Sequence, residues 1–305
     1  MVRTCLLSID PVFRAIFPVL PRCYLPIAFF VLIISVFSPS ESLGYSLRLP
    51  EEVFNGQPFR IAVDPEGGFE RMKLELKHLS LDLPLTPDKE NVFWSRAGLE
   101  QKGPLEIKIE LTGPRGEESI VHRVGVKKRD YPAQHLDLPE DMVSFDEQTL
   151  KRINLEKGLI NTALSVMTPS QHFSGRFVYP VQGKVLSEFG LRRFLNDKPR
   201  SPHRGVDFRA AEGKEIKACN SGEVVLTGSF FFGGKTVIID HGAGIQSLYM
   251  HLSKISVNQG EMVDKGSLVG LAGNTGRATG PHLHFGICVW GEMVDPLYML
   301  KKSRQ

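Results

Sequence analysis

Along this chain the spacing of apolar positions changes twice. From residue 45 to about 130 apolar and polar residues alternate, as in Phe59-Arg60-Ile61-Ala62-Val63, Leu74-Glu75-Leu76-Lys77, Leu105-Glu106-Ile107-Lys108-Ile109-Glu110-Leu111 and Val121-His122-Arg123-Val124-Gly125-Val126. A period of two predicts strands with one buried face. Asn55-Gly56, Pro65-Glu66-Gly67-Gly68 and Gly113-Pro114-Arg115-Gly116 separate them as turns. Short strands at this spacing predict a small β-sandwich over 45–130, immunoglobulin-like by pattern alone because no Cys-Trp-Cys signature accompanies it. No polar cluster in this region points to catalysis, so it reads as a spacer or binding module.

Between 131 and 172 the period lengthens. Leu150, Ile153, Leu159, Ile160, Ala163 and Leu164 recur at helical spacing behind Ser144-Phe145-Asp146-Glu147, which reads as a capping box. The helix is expected to end near Thr168-Pro169. This is a helical linker whose apolar stripe packs on a neighbouring domain, with Gly158 arguing against one straight element. From Phe173 to the end, strand signals return at 216–218, 222–226, 235–241, 246–251 and 282–289, among closely spaced glycines that suit hairpins. The fold class is therefore mainly β: sandwich, helical connector, and an antiparallel-β domain over 173–305.

The N-terminus adds an address. Tyr24 to Phe37 is an uncharged apolar run of 14 residues, preceded by Arg3, Arg14 and Arg22 and followed by Ser38, Pro39, Ser40, Ser42 and Gly44. That layout is a secretory signal over 1–44 or, if uncleaved, a membrane anchor through 24–37, against the rival reading of a cytoplasmic core segment; a spanning helix needs about 20 residues. Either form places the protein across the inner membrane, in the periplasm or cell envelope. Of the 4 cysteines, Cys219 and Cys288 lie beyond this segment, as buried thiols or one disulfide. The net charge of +3 over 305 residues gives no footprint for nucleic acid.

The chemistry concentrates in three short stretches. His203 and Asp207 stand four apart in Pro202-His203-Arg204-Gly205-Val206-Asp207-Phe208, and His282 and His284 two apart in His282-Leu283-His284. Even spacing on strands puts each pair on one face. Tyr249-Met250-His251-Leu252 supplies a further imidazole near a strand end. Two imidazoles and a carboxylate suit a zinc ion that keeps one position open for water. Such a site lowers the water's pKa toward about 7 for attack on a carbonyl, and spare imidazoles are suited to move the proton. His241, beside a turn, reads as structural, His172 as a linker residue, and Thr275 and Arg277 as turn-shaping. Gly273-Asn274-Thr275-Gly276 lacks the Gly-Lys-Ser/Thr of a phosphate loop.

Residues 173 to 300 resemble the lysostaphin-type zinc metallopeptidases that cut peptide bonds in peptidoglycan. The resemblance rests on HxxxD (His203, Asp207), Y-x-H-L (Tyr249 to Leu252) and HxH (His282, His284) in order, with Ala218 to Val224, Val263 to Gly270 and Gly273 to Phe285 as supporting phrases. It implies Zn²⁺ on His203, Asp207 and His284, with His251 and His282 as general base and oxyanion stabiliser in an order left open. It also implies peptidoglycan stem peptides as substrate and a compact antiparallel fold with a peptide groove. Two rivals remain. One is a non-catalytic regulator of other wall hydrolases, which the complete set of five residues disfavours. The other is a zinc peptidase for proteins or short peptides. The region before residue 173 is expected to position the enzyme or to cover its groove.

Overall fold

The structure is a computed structural model that describes residues 45–300 apart from 66–67, 88, 115 and 137–144. The signal-or-anchor segment 1–44 and Ser144 of the capping box lie outside the described residues. Among the described residues, no helix is long and apolar enough to cross a membrane.

The alternating N-terminal pattern folds as β1 (Ser46–Arg48), β2 (Glu52–Phe54), β3 (Pro58–Asp64), β4 (Arg71–Leu76), β5 (Leu79–Pro84), β6 (Asn91–Arg96), β7 (Leu105–Gly113) and β8 (Gly116–Lys127). One sheet has the order β1-β3-β6 and another β2-β8-β7-β4-β5. Alternation works as expected: on β7, Leu105, Ile107, Ile109 and Leu111 are buried while Glu106 is exposed. Inward residues of both sheets, among them Ile61, Phe93, Met72 and Ile109, join one apolar core. On the outward face Lys73, Lys108, Glu75 and Glu110 form a ladder of ion pairs across β4 and β7. Its exposed members contribute little individually.

After β9 (Ala133–Leu136), one continuous helix, α1 (Glu147–Leu164), passes through Gly158 without a break. Its N-cap is Asp146, whose carboxylate accepts from Thr149 N. It ends at Leu164, short of Thr168-Pro169. The following residues are drawn onto strands instead: Val166 O accepts from Gln246 Nε2, and Thr168 O from Ala243 N. The apolar stripe is covered only toward its C-terminal end. Ala163 is buried and Ile160 and Leu164 pack on the core, but Leu150 and Leu159 stay 45% and 49% exposed. The middle of the helix is held by polar contacts: Glu156 accepts from Phe231 N, and Arg152 lies over the Phe231 ring.

The C-terminal strands are β10 (Val185–Ser187), β11 (Arg192–Leu195), β12 (Lys198–Arg200), β13 (Val206–Arg209), β14 (Glu215–Lys217), β15 (Gly222–Phe230), β16 (Gly234–Gly242), β17 (Ile245–Ile255), β18 (Met262–Val263), β19 (Leu268–Ala272), β20 (His282–Val289) and β21 (Glu292–Val294). A ten-stranded sheet runs β10-β13-β20-β17-β16-β15-β18, with β14 and β19 attached beside β17 and β21 beside β20. Its pairings are antiparallel. β20 lies between β13 and β17 and is buried from Phe285 onward. The β11–β12 hairpin stands outside this sheet and pairs in parallel with β9.

The described residues form one compact unit. Arg96 donates to Trp290 O, Asp295 N to Gly56 O, and Arg129 to the Asp295 carboxylate. Cys219 and Cys288 are free, buried thiols, their pKa values raised by burial to about 11 and about 12.

Candidate metal centre

β13 and β20 build the floor of the site. Asp207 pairs with His284, and Arg209 with His282, in the antiparallel register. Direct partners project from the same face, so the carboxylate and both imidazoles of HxH stand together. His203 arrives differently. It precedes β13 in an irregular segment rather than sharing its face. Its backbone is pinned there by two bonds to the turn before β11: Gly190 N to His203 O and His203 N to Leu191 O. Gly205 makes this possible, because a Cβ there would lie 2.7 Å from the His284 ring and 2.6 Å from Phe285 O.

Three acceptor atoms converge. Asp207 Oδ1 lies 2.8 Å from His284 Nδ1 and 3.1 Å from His203 Nε2, and the two nitrogens are 2.9 Å apart. A tetrahedral ion with bonds of about 2.1 Å holds its ligands roughly 3.4 Å apart, so the cluster is within a few tenths of an ångström of embracing one. His203 Nδ1 lies 2.8 Å from Glu188 O. A carbonyl only accepts, so Nδ1 carries the proton and Nε2 turns its lone pair to the cluster. Burial raises the Asp207 carboxyl, but hydrogen bonds and charge from His203 and His284 outweigh it and hold the group well below the usual range. Burial lowers His284, against the pull of Asp207. An ionised carboxylate beside neutral imidazoles is the state a cation requires. The donor set thus fits a metal ion.

His251 and His282 flank the cluster, with ring centroids 4.7 Å apart. Each is oriented by a backbone carbonyl. His251 Nδ1 donates to Thr275 O and His282 Nδ1 to Gly280 O, both at 2.8 Å. Each Nε2 turns toward the cluster side of its ring, away from the carbonyl that Nδ1 meets, and that of His282 stands 3.9 Å from Asp207 Oδ1. Burial, the largest influence, pushes His251 down to about 4. Its backbone sits at φ +64°, a left-handed conformation that costs a side-chain-bearing residue energy. Thr275 holds the position: Oγ1 donates to Leu252 O and accepts from Lys235 N, while its carbonyl takes His251.

All five sequence-predicted residues therefore meet in one place. His241 does not join them. It is buried between Ser221 O and Ser247 Oγ, and burial lowers it to about 4. One neighbour escaped the sequence reading. Arg193 Nη2 lies 3.7 Å from Asp207 Oδ2. The Arg192-Arg193 doublet was its only trace, and a doublet carries no spacing rule.

The Peptidase family M23 model matches residues 201–296. Peptidoglycan DD-endopeptidase ShyA of Vibrio cholerae is 41% identical over 122 residues, 39% of this chain and 28% of that protein. DD-carboxypeptidase/endopeptidase Mpg of Neisseria meningitidis is 36% identical over 117 residues, 38% and 27% of the two chains. The match thus spans little more than a quarter of these relatives. Among solved structures, a putative M23 peptidase from Pseudomonas aeruginosa is 30% identical, with a TM-score of 0.63 over 81% of this chain and 94% of that one.

Proposed function

The chain belongs to peptidase family M23, and on that premise we propose that it is a zinc-dependent endopeptidase hydrolysing peptide cross-links of peptidoglycan. The observation that carries the proposal is the convergence of His203 Nε2, Asp207 Oδ1 and His284 Nδ1 within 3.1 Å of one another, with two more oriented imidazoles alongside. The names of the curated relatives, peptidoglycan DD-endopeptidase and DD-carboxypeptidase/endopeptidase, supply the substrate class.

His203, Asp207 and His284 would hold Zn²⁺, which when bound supplies Lewis-acid polarisation of a carbonyl and acidification of water. His282 is suited to accept a proton at Nε2, because its Nδ1–H is committed to Gly280 O and an imidazole with one free nitrogen is a base near neutrality. His251, whose Nδ1–H is held by Thr275 O, would stabilise the developing oxyanion from the other side once it takes up a proton at Nε2, a charge that burial disfavours and that the oxyanion would offset.

Strands β1–β8 would be an immunoglobulin-like accessory sandwich and α1 its connector to the peptidase region over 173–305. Segment 1–44 would direct the chain to the envelope as a cleaved signal or an anchor. Digesting purified cell-wall sacculi with the zinc-loaded protein and identifying the released muropeptides by mass spectrometry tests the activity. Products split at a peptide cross-link, and lost on chelation, are expected; cleavage of the glycan strand alone, or none, rejects the proposal.

A further inference from the structure

The turn between β15 and β16, Phe231 to Gly233, touches both supports of His251. Gly233 O accepts from His251 N at 2.8 Å, which fixes the backbone of a residue at φ +64°. Lys235 N, just past the turn, donates to Thr275 Oγ1 at 2.9 Å, and Thr275 O is the acceptor that orients the His251 ring. Phe232 O also accepts from Arg277 N. The two segments pack without slack. A Cβ on Gly234 would lie 2.3 Å from the Thr275 carbonyl carbon, and one on Gly276 would lie 2.3 Å from Gly234 N. A shift of the turn therefore carries Thr275 and His251 with it.

The start of this turn is held by α1. Glu156 Oε2 accepts from Phe231 N at 2.6 Å and Oε1 from Arg152 Nε at 2.7 Å, and the Glu156 side chain is only 14% exposed. Phe145 adds edge-on contacts to the Phe231 and Phe232 rings. Burial of apolar surface is not what seats this part of the helix, because the neighbouring Leu155 and Leu159 stay 69% and 49% exposed. A carboxylate withdrawn from water is a costly way to gain stability. What it supplies is direction: a charge-assisted bond to a backbone N–H fixes that peptide group in place.

We propose that Glu156 is a positioning residue for His251, acting through Phe231 N and the β15–β16 turn. Without the bond the turn is free to move, and with it the acceptors that hold the His251 backbone and ring. The imidazole then leaves the geometry in which it meets the developing charge. Turnover falls while substrate and metal binding stay, because His251 stands outside the set of His203, Asp207 and His284. The inference rests on the endopeptidase reading for the task of His251, but not for its position.

Three substitutions in the full-length, zinc-loaded protein separate reach from charge. Glu156→Gln keeps an acceptor oxygen at the same reach without the charge. Glu156→Asp keeps the charge but falls one methylene short of Phe231 N, and Glu156→Ala removes both. The His251 ring signal is followed by NMR on protein carrying ¹³C-labelled histidine, with its assignment taken from His251→Gln, and kcat and KM are measured on a cross-linked muropeptide. Glu156→Asp and Glu156→Ala should shift the His251 signal and lower kcat about 10- to 100-fold, as misplacement of a reacting group does. KM should stay within about 2-fold and the zinc content should not change. Glu156→Gln should restore the signal and hold kcat within about 2-fold of wild type. A contribution to stability alone would lower the unfolding midpoint without moving the ring at a temperature where the variants are folded. Should Glu156→Ala fail to fold, the Asp and Gln variants decide. An unmoved His251 signal in Glu156→Asp, a moved signal with wild-type kcat, or Glu156→Gln behaving as Glu156→Asp does overturns the proposal. A signal that moves in Glu156→Asp and returns in Glu156→Gln, while wild type itself cleaves no muropeptide, rejects the peptidase reading and leaves the positioning standing.

Discussion

Asp207 and His284 face each other across the β13–β20 pair, with Oδ1 2.8 Å from Nδ1. Two strands that the chain separates by 77 positions thus fix two acceptors by register alone. A one-residue slip would send one of them to the opposite face. The third acceptor, His203, depends on backbone bonds from the turn before β11 instead.

That division of labour predicts different outcomes for single substitutions. His203→Ala, Asp207→Ala and His284→Ala should each abolish stoichiometric metal binding, read by elemental analysis after dialysis. His282→Ala should keep the metal and lose about 10²- to 10⁴-fold in kcat, the usual contribution of an acid–base group. If His282→Ala lost metal as readily as His284→Ala, the roles assigned to the two histidines would be reversed.

Gly205→Ala tests the packing beneath the site. The new methyl would meet Phe285 O at 2.6 Å and the His284 ring at 2.7 Å. The neighbours are backbone and a ring held in the cluster, so the clash is not relieved by a flexible side chain. A stability loss of about 1–3 kcal/mol is expected, together with weaker metal binding. Metal affinity equal to wild type would show that His284 has room to move.

The parts of the site legible in the sequence were those that follow strand periodicity. His282 and His284 share a face of β20, and the expected bounds 282–289 are those observed. His203 and Asp207 were expected on one strand face as well, yet β13 begins only at Val206. Four-residue spacing could not reveal this, because Gly190 and Leu191, which hold His203, are bound to it through backbone atoms. The same limit applied to the early end of α1 and to its half-exposed stripe. Gln246 and Asp240 draw residues 166 and 168 onto the sheet, and tertiary contacts of that kind leave no local pattern. Arg193 was invisible for a third reason: its significance lies in a neighbour across the fold.

His241 gives the domain a pH dependence of definite sign. Its native pKa is about 4, lowered by burial, against about 6.5 in an unfolded chain. Above pH 6.5 both states are neutral there and the group contributes no pH dependence. Between 6.5 and 4 the unfolded chain binds a proton that the native state refuses, so stability falls with pH; below 4 the loss is complete. The difference corresponds to about 3 kcal/mol. Urea unfolding at pH 7.5 and pH 4 should show wild type losing about that much more stability than His241→Gln over the same interval. Equal losses would mean that His241 does not titrate in this window.

Tyr131 carries the last prediction, on what the N-terminal region does for the site. Its hydroxyl donates to Asn55 O, its ring meets Phe189 edge-on at 6.2 Å, and a Cβ on Gly190 would overlap that ring. Gly190 in turn donates to His203 O. A single run of contacts therefore joins the turn after β2 to the backbone that presents a metal-ligand candidate. Tyr131→Ala should cost about 3–5 kcal/mol in stability, as removal of a large buried ring does. Because the pin on His203 loosens as well, the metal should bind more weakly, measured by competition with a chromophoric chelator at a temperature where the variant is still folded. Tyr131→Phe keeps the ring and removes only the hydroxyl. It should keep wild-type metal affinity while losing about 1 kcal/mol of stability. Unchanged affinity in Tyr131→Ala would mean that His203 is positioned from within the C-terminal strands alone, leaving the N-terminal region a support for stability rather than for the centre.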